Sequence, residues 1–248
     1  MQNRIVLFAD LLGFKQLVRT TPLEDLVRKY NQIFDSLFSA AVRLTTRRGY
    51  GAVTGLGAGD AAPPTATAAA AQAPNPELLG AIAADTDLTP YVMSDSIVVY
   101  SSPVSSEAVA TSPQLASMIV LARTLCLRLF ELLLPARGSI AYGPFHADPA
   151  SGIFVGPALV DAYEAGESQE WIGMSIAPSL DGQVTDLIQQ IGDKAVLDGL
   201  RPNWDLLRYP VPTKNGPRDA WAINWVTAFN YGGPVIDEFF DDVKRGNP

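Results

Sequence analysis

The chain has 248 residues, 48% hydrophobic and 18% charged, with a formal net charge of -8. That apolar content supports a sizeable core, while the acidic balance repels phosphate backbones and argues against general nucleic-acid binding. One cysteine, Cys126, and one histidine, His146, exclude an intrachain disulfide framework, a cysteine-built zinc site and a histidine-rich metal centre.

Residues 4–9, RIVLFA, form a β-branched apolar run that reads as a buried strand ending at Asp10. No small-residue cleavage site follows Arg4, so this start does not read as a signal peptide. LLGFKQLVRTT begins a helix. Pro22 opens another, in which Leu23, Leu26, Val27, Tyr30, Ile33, Phe34, Leu37 and Phe38 recur at helical spacing. The Gly-, Ala- and Pro-rich stretch at about 51–80 reads as an insertion or mobile loop within one domain spanning 1–248. Residues 88–100, LTPYVMSDSIVVY, read as two strands about a tight Ser94-Asp95-Ser96 turn.

A long helix is expected over 114–134. Its apolar run carries Arg123, Arg128 and Glu131, which marks a buried amphipathic helix and not a membrane span; the chain reads as cytoplasmic. Cys126 within it reads as a buried small hydrophobe. Arg137–Gly143 is a strand leading into a hairpin loop, PFHADPASG. A strand at 153–155, a helix at 157–165, a strand at 171–178, a helix at 180–198 and closing strands at 206–212 and 219–226 follow. The order β-α-α-β-β-α-β-β-α-β-α-β-β predicts a single α/β (α+β) sandwich: a mixed β-sheet flanked by helices.

The chemistry concentrates on Asp10, at the end of a buried strand, and Asp95, in a hairpin turn able to pair beside it. Two such carboxylates can hold two Mg²⁺ or Mn²⁺ ions about 4 Å apart, one activating an attacking hydroxyl and the other neutralising a triphosphate. The amides of Leu11, Leu12, Gly13 and Phe14 would lie at the following helix N-terminus, where they can cradle phosphate oxygens. The competing readings are a helix cap for Asp10 and an ordinary turn aspartate for Asp95. In TTRRGYGAV, Tyr50 could contact a pyrimidine and Arg47 and Arg48 a phosphate, against a solvated basic helix end. Lys15 could point to solvent, Arg137 is either structural or faces the phosphate, with the structural reading favoured, and His146 reads as solvated in its loop. Trp171, Trp204, Trp221 and Trp225 read as core or interface.

FADLLGF resembles the first metal motif of class III nucleotidyl cyclases, and MSDSIVVYS their second metal hairpin. RGSIAYGPF is similar to the later Arg-x-Gly-Ile-x-x-Gly strand, and VGPALVDAYEAGE to the Gly loop and helix beyond it; order and spacing agree across most of residues 4–178. The resemblance implies Asp10 and Asp95 as catalytic metal ligands, Leu11 as a further metal contact, two Mg²⁺ or Mn²⁺ ions per site, and a homodimer sharing its active sites. Lys214, in PVPTKNG, resembles a triphosphate-binding lysine.

The departures are specific. Ser94 stands where the family has Gly, and Tyr91 where purine cyclases carry a base-reading lysine. The region Val160, Asp161, Ala162, Tyr163 and Glu164 lacks the usual Asn and Arg. With the AYEAGE helix and the tail YPVPTKNG, these features resemble the bacterial pyrimidine cyclases of Pycsar anti-phage signalling, nearest the uridylate branch. That resemblance implies conversion of UTP to cyclic UMP as a second messenger for a separate cyclic-nucleotide-sensing effector. A cytidylate cyclase and an inactive nucleotide-binding homologue are the alternatives. A dinucleotide cyclase should carry a Gly-Gly-Asp/Glu-Glu/Asp-Phe turn, which MSDSIV matches poorly.

Overall fold

The computed structural model describes residues 2–33, 88–191 and 205–226. Strand β1, Gln2–Leu11, is continuously apolar over Ile5–Ala9 because both its faces are covered there. Ile5, Leu7, Ala9 and Leu11 enter one core layer, and Val6 and Phe8 enter the other. Helix α1, Phe14–Thr20, and a second helical segment, α2 over 23–33, follow. Strands β2, Leu88–Met93, and β3, Ser96–Ser101, form the expected hairpin.

Helix α3, Pro113–Glu131, starts at Ser112, whose hydroxyl accepts from the Leu115 amide. Then come β4, Ala136–Asp148, β5, Ile153–Val155, and α4, Pro157–Glu167. Strand β6, Gly173–Ile176, and helix α5, Pro178–Ile191, precede the closing pair β7, Leu206–Val211, and β8, Arg218–Ile223.

Among the described residues the elements follow the order the sequence predicts. The strands form one eight-stranded sheet in the order β2-β3-β1-β4-β6-β8-β7, with β5 paired to β4. The pairs are antiparallel except β4–β6, which makes the sheet mixed. Helices α3 and α5 cover one face: Leu115, Ile119, Leu129, Leu180 and Val184 pack there with Ile5 and Leu7. Buried Cys126 belongs to this layer. By length and composition α3 could cross a membrane, but it is a core helix here, as its charged positions led us to expect. Among the described residues, helix α4 covers part of the other face through Ala158, Ala162 and Ala165, and a cavity lies toward its β2–β3 end.

Several boundaries differ from expectation, three of them by more than a residue or two of fraying or with a clear local cause. Helix α1 starts at Phe14 and not at Leu11, because Gly13 takes a left-handed φ of 72° and turns the chain first. The segment read as the loop PFHADPASG is mostly strand: β4 continues to Asp148 and pairs with β5, His146 against Val155, although His146 is exposed as expected. Helix α3 stops at Glu131, short of 134.

Strands β1 and β4 approach closely at Gly138. A Cβ there would lie 2.3 Å from the Phe8 carbonyl oxygen, a backbone atom that cannot step aside. Gly138→Ala must therefore push the two central strands apart. It is expected to destabilise the chain by about 1–3 kcal/mol, read as a lowered thermal midpoint.

Candidate active site

At the end of β1, Asp10 pairs with Ser96 of β3 on one side and Arg137 of β4 on the other. Strand alternation puts it on the same face as Phe8, the face α4 covers only in part. The β2–β3 turn is two residues long, and Ser94 adopts a left-handed φ of 57° where a glycine would be unstrained. Two bonds hold that turn against β1. The Leu11 amide donates to the Asp95 carbonyl at 2.9 Å, and the Tyr30 hydroxyl donates to the Ser94 carbonyl at 2.5 Å. Asp95 is thus tethered beside Asp10 from both ends of its own turn.

The two carboxylates act on each other electrostatically. Burial raises the Asp10 carboxyl above the ordinary carboxylate range, the negative charge of Asp95 raises it further, and Arg137 opposes both. Burial and then Asp95 push the Tyr30 hydroxyl up to about 12, so it stays a neutral donor. Two hard-oxygen carboxylates on adjoining segments, one disfavoured as an anion by burial and then by the other's charge, suit Mg²⁺ or Mn²⁺. Among the described residues no cluster of three or more metal-ligating side chains occurs.

Arg137 bridges inward from β4. Its Nη2 lies 3.5 Å from an Asp10 oxygen and also pairs with Glu167, while Nη1 donates to the Gln169 carbonyl at 3.1 Å. Lys214, in the β7–β8 loop, reaches the other Glu167 oxygen at 3.0 Å. Gln169 is fully buried: its side-chain amide donates to the Gly138 and Ala165 carbonyls and to Ser175 Oγ, and its oxygen accepts from Trp171 Nε1. This locks the α4 terminus onto β4 and β6 and so fixes Glu167.

A second feature opens on the same face. A cavity of about 290 Å³ is walled by Phe8, Tyr91, Val98, Phe154, Leu159 and Tyr163. The Tyr91 ring packs on Phe154 at 4.4 Å, and Tyr163 meets Phe8 edge-on at 5.2 Å. Of its lining residues, Met93, Val160 and Tyr163 are exposed apolar side chains.

The turn carrying Asp95 is therefore bonded to the residue after Asp10, and Asp10 is no helix cap, since Gly13 holds that position without a side-chain bond. The Leu11 and Leu12 amides do not cradle phosphate: they are bonded to the Asp95 and Pro135 carbonyls at 2.9 and 2.7 Å. Gly13 and Phe14 remain at the α1 start. Leu11 lies one residue from Asp10 in the β1–β4 ladder. Tyr91 lines the apolar cavity, and Lys214 joins Asp10 through Glu167 and Arg137. Arg47, Arg48, Tyr50, Trp204 and the insertion at 51–80 lie outside the described residues. Trp171, Trp221 and Trp225 pack against Tyr209, Arg208 and Phe130. Tyr30, Glu167 and Gln169 were not anticipated, because each acts on a partner distant in sequence.

No protein-family model and no curated protein matches the chain. Among solved structures, the chain is similar to the catalytic core of a rhodopsin-guanylyl cyclase with converted specificity in complex with ATPαS. The TM-score is 0.51 at 12% identity, over 90% of this chain and 94% of that one. The guanylyl cyclase Cya2 (TM-score 0.45, 14% identity, 90% and 94% covered) and a bacterial light-regulated adenylyl cyclase (0.41, 12%, 92% and 93%) are also similar. At such identities the first of these shows the fold: the mixed sheet flanked by helices is that of class III cyclase catalytic domains.

Proposed function

We propose that this chain is a pyrimidine nucleotide cyclase, closing UTP into 3′,5′-cyclic UMP with release of diphosphate. The observation that carries the reading is the meeting of Asp10 and Asp95 at one end of a cyclase-type sheet. In the reaction the ribose 3′-oxygen attacks the α-phosphorus, the bond from that phosphorus to the bridging oxygen breaks, and the hydroxyl proton leaves to water. Bound Mg²⁺ or Mn²⁺ would lower the hydroxyl's pKa and neutralise charge on the triphosphate.

The chain's own groups do the rest. Asp10 and Asp95 would hold the cations, their segments kept together by the Leu11 and Tyr30 bonds to the turn. Arg137 and Lys214 supply positive charge for the phosphates. The apolar cavity beside them takes the base, with Tyr91 filling space that a purine would need. The Pycsar-like motifs support a second-messenger role in anti-phage defence, in the cytoplasm, acting through a separate effector.

The exposed apolar rim of that cavity is the natural face for a second copy, so the active form is a homodimer. Incubated with UTP and Mn²⁺, the purified chain is expected to release cyclic UMP and diphosphate in equal amounts. The rate per chain should fall on dilution below the dimer dissociation constant. A monomer by light scattering with undiminished turnover would contradict the shared site, and absence of cyclic product would contradict the reading itself.

A further inference from the structure

Glu167 stands between the two cations assigned to the phosphates. One of its oxygens pairs with Arg137 Nη2, and the other takes Lys214 Nζ at 3.0 Å. No other ion pair reaches Lys214 among the described residues, whereas Arg137 also faces Asp10 at 3.5 Å. The Arg137 Nε is buried and makes no hydrogen bond, so this guanidinium is only partly satisfied by the protein. The carboxylate is well placed to stay: Gln169 pins the α4 terminus, and the Lys214 amide donates to the Ser168 carbonyl at 2.9 Å. Lys214 holds the Glu167 carboxyl below the ordinary range first, and Arg137 contributes in the same direction. A single negative group thus occupies both cations at the position where a phosphate chain would need them.

We propose that Glu167 is an internal counter-anion that occupies Arg137 and Lys214 in the empty site and is displaced by the diphosphate portion of the nucleotide. The proposal rests on the cyclase reading for the identity of the incoming anion. A diphosphate offers more acceptors than one carboxylate and can reach the unused Arg137 donor. The contact also sets a threshold. Anions with fewer phosphate groups meet the same competitor with less to offer, so Glu167 favours the triphosphate over the monophosphate product.

Calorimetric binding of inorganic pyrophosphate to the full chain without metal tests this apart from turnover. Glu167→Gln removes the competing charge at nearly constant size, and roughly tenfold tighter binding than wild type is expected. The double variant Glu167→Gln, Lys214→Ala should lose that gain. If Glu167→Gln does not fold, Glu167→Asp decides instead: it keeps the charge but cannot span both cations, and a smaller gain is expected. Equal or weaker pyrophosphate binding in the folded variant overturns the proposal, because a merely structural Glu167 would give that result. Tighter binding in a chain that forms no cyclic nucleotide would leave the counter-anion role standing and remove the cyclase reading. An active cyclase whose variant shows no gain would do the reverse.

Discussion

Asp10→Ala and Asp95→Ala are each expected to lower cyclisation on the order of a thousandfold or more while leaving the chain folded. Both carboxylates serve one transition state, so the double variant should lose little more than either single one. Neither side chain carries the core: Asp10 closes a strand whose apolar residues lie before it, and Asp95 sits in a turn tied by backbone bonds that alanine retains. Stability should move the other way. Burial, reinforced by Asp95, makes the folded chain bind the Asp10 proton more tightly than the unfolded chain does. Such a group costs stability as pH rises from the unfolded carboxylate range through the raised folded value. At neutral pH the metal-free pair is therefore a strained element, and Asp10→Asn is expected to raise the thermal midpoint. Mn²⁺ should raise the midpoint of the wild type and do so much less for the variant. Near-normal turnover in either alanine variant would end the assignment of these residues.

The second large effect concerns the base. UTP is expected to exceed ATP and GTP in kcat/KM on the order of a hundredfold. The cavity beside the carboxylates is walled by Phe8, Tyr91, Phe154 and Tyr163, and Tyr91 is packed on Phe154 at 4.4 Å. Excluding a larger ring by filled space yields tens- to hundredsfold discrimination, and polar contacts to the base edge would add more. Tyr91→Ala enlarges the cavity and should admit purines, narrowing the ratio by raising ATP and GTP turnover as well as lowering that of UTP. Unchanged purine exclusion in that variant would move base selection away from Tyr91. The nearer competitor is CTP, which fits the same volume; the preference for UTP over it rests on the resemblance to the uridylate branch.

Much of this was legible in the sequence because it is local or periodic. Apolar runs such as RIVLFA and SIVVY, broken by Gly and Pro, mark the strands, and the order of elements follows from them. Asp10 and Asp95 could be paired because each abuts an apolar strand, and such strands associate. What escaped is decided by contacts between distant residues. The Leu11 and Leu12 amides look free at a helix start, but Gly13 turns left-handed, and the Asp95 and Pro135 carbonyls claim them. Arg137 read as structural; no local pattern shows that Glu167, 30 residues away, draws it to within 3.5 Å of Asp10. Glu167 lies beyond the helix expected over 157–165 and carries no local signal, since its second partner, Lys214, is 47 residues on. Tyr30 carries a helical-period signal for burial, which hid that its hydroxyl supports a turn 64 residues later.

The most direct test of a cyclase centre at Asp10 and Asp95 is mass identification of the products formed from equimolar ATP, GTP, CTP and UTP. Wild-type chain and Asp95→Ala would be run side by side with Mn²⁺. Cyclic UMP as the main product of the wild type, absent from the variant, is the predicted result. No cyclic nucleotide from any of the four, or the same cyclic product from both proteins, would contradict it.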